Sequence, residues 1–67
     1  MNPEKIREDV RGKTWRLVPF LETSQIRNLV EVCSTALLAP GIDASERIAL
    51  HAERTVYREE IARRASA

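Results

Sequence analysis

Between Thr23 and Pro40 the apolar residues Ile26, Leu29, Val30, Cys33, Ala36 and Leu37 recur in steps of three and four, with Arg27, Asn28 and Glu31 between them. That rhythm fits the 3.6-residue turn of an α-helix and not the two-residue period of a strand. A helix with one apolar stripe must have that stripe covered, so the rest of the chain has to supply the cover. Thr23 or Ser24 offers a hydroxyl cap at its start, and Pro40-Gly41 stops it. Val32 and Leu38 widen the stripe, so the helix over about residues 24–38 is expected to be the most buried one.

The flanks supply two partners. Asn2-Pro3-Glu4 is a compact helix start: a side-chain cap, a proline in the first turn and an acid at the positive dipole end. Ile6, Val10, Leu17 and Leu21 follow at helical spacings, Gly12 weakens the middle, and Pro19 ends or kinks the helix, which spans about residues 3–18. Residues 13–18 also alternate well enough to be a strand. Strand, helix, Gly41 loop and helix is the order of a ribbon-helix-helix dimer, a DNA-binding repressor or antitoxin in which Thr14 and Arg16 would read bases. Helix is the preferred reading, because it keeps Ile6, Val10, Leu17 and Leu21 on one face. Asp43-Ala44-Ser45-Glu46 opens a third helix, about residues 44–64, with Ile48, Ala49, Ala52, Val56, Tyr57 and Ile61 apolar. Arg54-Arg58 and Glu59-Arg63 are expected to lie on its polar surface. The fold class is all-α: one small domain over residues 1–67, a three-helix bundle or a helical hairpin with an N-terminal helix.

A chain of 67 residues makes a marginal core. Cys33 is its single cysteine and His51 its single histidine, so neither an internal disulfide nor a protein-only metal site is expected to staple it. Self-association, or a place among other protein subunits, is the remaining stabiliser. The residues expected to form the core or the oligomer contact are Ile26, Leu29, Val30, Cys33, Leu37, Ile48, Val56, Tyr57 and Ile61. No run of 18 apolar residues is present, so no membrane partner is expected. Charges recurring from Glu4 to Arg16 leave no signal-peptide core, and a cytoplasmic setting follows as the expectation.

The formal charge is +1, far from a polycation. Its distribution is uneven, with residues 1–21 at +2, residues 22–43 at −2 and residues 44–67 at +1. Lys5, Arg7, Arg11, Lys13, Arg16 and Arg27 are the candidates for contact with an RNA or DNA backbone, where phosphates would supply most of the affinity. Catalytic machinery is not expected. Cys33 sits on an apolar stripe without a base beside it in sequence, and His51 reads as an ordinary, partly exposed residue. Arg7, Arg11, Arg47 and Arg54 could be imagined around a dicarboxylate in a small all-helical enzyme, but they fall mostly away from the apolar faces. No cofactor and no metal is implied. The expected function is that of a non-catalytic binding or assembly module.

Thr23-Ser24-Gln25-Ile26-Arg27 resembles a segment of the small helical subunit of type III CRISPR effector complexes. In that family the segment opens a core helix that follows a first helix, the order expected here. The similarity covers about ten residues, 21–29, and the chain has no counterpart of the later helices. It implies an all-α protein beside an RNA guide and target, with Arg27 as a backbone contact.

Overall fold

The computed structural model describes residues 2–66. Helix α1 runs Pro3–Leu17, a 3-10 turn covers Val18–Phe20, α2 runs Thr23–Leu37 and α3 runs Ala44–Ala65. The protein is all-α, and no strand occurs among the described residues. α1 and α2 each pack along α3 and barely touch one another, so α3 is the shared spine.

Each helix boundary has a local cause. The Asn2 side-chain oxygen accepts from the backbone N–H groups of Glu4 and Lys5, filling two of the orphan donors of the first turn. α1 passes Gly12 unbroken and gives way at Val18, where Pro19 can no longer donate a helical hydrogen bond. α2 begins one residue earlier than its hydroxyls suggest. Glu22 holds the cap position and its N–H donates to Gln25 Oε1 at 2.8 Å, while the Thr23 hydroxyl serves another partner. Gly41 has φ +80, a conformation that costs a side-chain-bearing residue steric strain and so fits glycine after Pro40. Asp43 Oδ1 then accepts from the Glu46 N–H at 2.8 Å and opens α3, which runs one residue beyond the expected end.

Residues 13–18 are helical or in the 3-10 turn, which removes the ribbon-helix-helix alternative and the base-reading roles of Thr14 and Arg16 in it. The physical reason is Thr14. Its hydroxyl donates to Val10 O at 2.7 Å, so a polar residue can be buried within the helix without an unsatisfied group. Val10, Thr14 and Val18 thereby form the inward face, and Leu17, expected there, is 48% exposed.

The core consists of Val18, Ile26, Cys33, Val56 and Tyr57, with Trp15, Leu21, Leu29, Val30, Leu50 and Ile61 packed against it. Leu37 and Ile48 are half-buried. Two expectations need correction. The most buried helix is α3, not α2, because α3 is covered from two sides, and its buried residues are Ala52, Val56, Tyr57 and Glu60. Val32 and Leu38 do not widen the core; they are 54% and 84% exposed, since α2 has only α3 to pack against.

Candidate assembly surfaces

The most constrained polar group in the chain is one the apolar periodicity of α3 passes over. Glu60 is 2% exposed and receives three charged hydrogen bonds, two from Arg63 at 2.6–2.7 Å and one from Arg64 Nε at 2.7 Å. Those bonds from Arg63 and then Arg64 hold its carboxyl down to about 2, because they favour the ionised form. The rest of the Arg64 fork reaches across the molecule. Nη1 donates to Thr23 Oγ1 at 3.0 Å, and Nη2 donates to the carbonyls of Val18 and Leu21 at 3.0 and 2.9 Å. A flat guanidinium with five donors thus closes the carbonyl end of the α1–α2 corner and pins the start of α2 to the end of α3. A sequence signal existed in Glu60-Ile61-Ala62-Arg63-Arg64, an acid three and four residues before two arginines.

Glu59 and Arg63 lie exposed on α3, as expected, but do not pair with each other. Arg63 turns to the buried Glu60 instead, and Glu59 bridges to Arg11 on α1 at 3.1 Å. A desolvated carboxylate attracts a neighbouring cation more strongly than one in water, so Glu60 wins. Arg54, expected on the polar surface, is half-buried and donates to Ser34 Oγ at 3.2 Å, tying α2 to α3.

The six candidate backbone-binding cations are not brought onto one surface. Arg7 pairs with Glu4 and Arg11 with Glu59. Lys5, Lys13 and Arg16 are exposed on α1, within roughly 80° of one another by helical arithmetic. Asp9 falls inside that arc. Arg27 stands elsewhere, at the rim of an open groove between α2 and α3. Val30, Ile61 and Ala62 line that groove with Arg27, Glu31 and Arg58, and it encloses about 390 Å³. A second, smaller depression between α1 and α3 holds Val10, Lys13, Thr14, Leu17, Glu53 and Tyr57, at about 260 Å³.

In that second depression the Tyr57 hydroxyl donates to Glu53 Oε1 at 2.6 Å. Burial raises the Tyr57 phenol, and its bond to the Glu53 carboxylate raises it further. Burial also pushes the Cys33 thiol up, with Glu53 adding to the shift and Arg54 opposing it. The thiolate is the nucleophile, so a raised thiol is an unreactive one. His51 is exposed on α3. Among the described residues no three His, Cys, Asp or Glu side chains gather in a way that could hold a metal ion. Among the described residues no helix is long and apolar enough to cross a membrane.

No family model matches the chain, and no curated protein or solved structure matches it either.

Proposed function

We propose that the protein is a non-catalytic helical assembly module, acting as a homo-oligomer or as a subunit of a larger complex. One observation carries this reading: the fold leaves large apolar side chains outside. Phe20 and Leu38 are each 84% exposed, Val32 54% and Leu17 48%. The accessible surface is 4703 Å². A compact monomer of this size exposes about 4,300 Å² by the usual surface scaling, so roughly a tenth of the surface is in excess. Apolar surface of this kind on a chain with a small core is what a partner covers. The buried, raised Cys33 thiol supports a packing role for the one cysteine.

Sedimentation across protein concentrations is the test. The reading requires an associated species, or a monomer that folds cooperatively only with a partner. A cooperatively folded monomer at every concentration, with no partner needed, would sink it.

A second reading has an observation of its own. Lys5, Lys13 and Arg16 make no ion pair among the described residues and share one side of α1, which favours weak contact with a nucleic-acid backbone. Under the resemblance of residues 21–29 to the type III CRISPR small subunit, Arg27 would be a separate backbone contact on the α2–α3 side. Titration with RNA and DNA at about 50 mM salt checks it, each phosphate contact adding about 0.7–0.9 to the log–log salt slope. Binding that ignores salt, or no binding, removes this reading.

A further inference from the structure

The α2–α3 groove has the makings of a self-complementary face. Arg27 and Glu31 lie one turn apart on α2 at its rim, and Arg58 faces them from α3. Residues so spaced on one helix are within reach of each other, yet none of the three makes an ion pair among the described residues. Arg63 and Arg64, farther along α3, are paired with Glu60, so the charges at this rim are left available to a partner. Between them Val30, Ile61 and the small Ala62 make a floor onto which a helix can settle closely.

We propose that this groove is the self-association face and that its occupant is α2 of a second copy, packed antiparallel about a two-fold axis that crosses the outer face of α2 at the level of position 29. The inference rests on the assembly reading above and specifies its site and partner. A two-fold contact uses the same patch on both copies, so the patch must complement itself. In antiparallel register about position 29, Arg27 of each copy falls opposite Glu31 of the other, giving two reciprocal ion pairs from one pair of residues. Arg58 stands beside the incoming Glu31 as a second cation. An acidic peptide would meet Arg27 and Arg58 but would be repelled by Glu31; a second copy meets all three with a matching charge pattern or a neutral surface.

The same register accounts for the two most exposed apolar side chains. Leu38 follows Arg27 by eleven residues, which returns it to roughly the same side of α2. In the antiparallel pair the Leu38 end of one α2 lies against the start of the other, where the corner carrying Phe20 sits. Both are 84% exposed in the single chain. A dimer of ordinary size buries about 800 Å² on each partner, roughly a sixth of the 4703 Å² available.

The experiment is a charge exchange read by sedimentation from about 1 μM to about 1 mM, which spans moderate to weak dimers. The natural sequence is expected to dimerise within that range. Arg27→Glu and Glu31→Arg each place like charges opposite one another across the axis, and each is expected to weaken the homodimer by about tenfold or more. Both positions are exposed, so far-UV circular dichroism of the two variants is expected to be unchanged. The first variant carries acids at both positions and the second carries arginines at both. Mixing them in equal amounts therefore sets opposite charges across the axis, and a heterodimer is expected to return. A natural dimer that tolerates both reversals, or variants that do not recover on mixing, overturns the face while leaving the assembly reading in place. A natural chain that stays a cooperatively folded monomer to the top of the range, with no partner present, overturns both.

Discussion

Removing the Arg64 fork should unfasten the α1–α2 corner from α3. In Arg64→Ala the Leu21 carbonyl and the Thr23 hydroxyl lose the fork, the Val18 carbonyl keeps only the Leu21 N–H, and Glu60 keeps only Arg63. A hydrogen bond from a charged donor contributes about 1.5–3 kcal/mol, and three that share one side chain do not add in full. The Arg64 side chain is 23% exposed, so water can reach part of the vacated site. The expected loss is therefore about 2–3 kcal/mol, near the middle of what these discounts leave. A domain of this length has roughly 3–10 kcal/mol in total, so the change takes a large share. At about 4–8 °C per kcal/mol, the melting midpoint should fall by about 10–20 °C. Arg64→Lys keeps the charge but offers a single donating point, and should recover less than half of the loss. Thermal unfolding followed by far-UV circular dichroism, at one fixed protein concentration, measures both. An Arg64→Ala midpoint within about 2 °C of the natural chain, or a lysine variant equal to arginine, would refute the fork as a fastening.

Two further outcomes follow from single residues. Glu60 has a carboxyl lowered to about 2 by its arginine bonds, against about 4.3 for a glutamate in an unfolded chain. A lowered carboxyl stabilises the fold fully above the unfolded value and loses that stabilisation as pH falls toward the folded one, so the melting midpoint should decline between about pH 5 and pH 2. Asp43, lowered chiefly by the Glu46 N–H, adds a slope of the same sign, so the comparison is with Glu60→Gln: its curve should start lower at pH 7 and fall less, and parallel curves would remove Glu60 from the account. The two glycines should respond in opposite directions to alanine. At Gly41 the φ of +80 makes Gly41→Ala destabilising by about 1 kcal/mol, whereas Gly12→Ala, helical and with nothing within 4 Å of the new methyl, should stabilise by up to about 1 kcal/mol. Urea unfolding reads both, and a shift of the same sign at the two sites would contradict the assigned backbone.

What the sequence revealed was the part governed by apolar spacing and punctuation. Ile26, Cys33, Val56 and Tyr57 are buried where the stripes put them, and Pro19, Pro40 and Gly41 mark the ends of helices. Periodicity failed where a polar residue brings its own partner. Thr14 satisfies its hydroxyl within α1 and so counts as apolar, which turns the helix and leaves Leu17 half outside. Glu60 is buried because two arginines on its own helix neutralise it, and no hydropathy pattern ranks a glutamate as core. The charge assignments failed for a related reason. Arginines at similar spacing meet different fates: Arg64 a fork, Arg11 a bridge to another helix, Arg27 an open rim. Those fates, that of the half-buried Arg64 among them, depend on which helix faces which, a tertiary fact absent from composition.

The fork and the groove are physically continuous, and this couples folding to assembly. Arg64 lies one turn beyond Ile61 in the groove floor, and its contact at Thr23 lies one turn before Arg27 on the groove rim. The fork therefore fixes the spacing of α2 and α3 at the end of the groove that a second α2 would enter. A partner that binds only the folded chain adds stability in proportion to the logarithm of its concentration over its dissociation constant, about 2.7 kcal/mol at a hundredfold excess. That is comparable with the loss expected from Arg64→Ala. If the groove pairs two copies, the weakened chain should regain much of its midpoint as its concentration rises, and it should do so less when Arg27→Glu is added. A concentration series on the two variants would separate a fork that only holds the monomer together from one that also shapes the surface where copies meet. The second outcome requires that Arg64→Ala also weaken the dimer, because a groove whose walls are free to splay loses the register that sets Arg27 against Glu31.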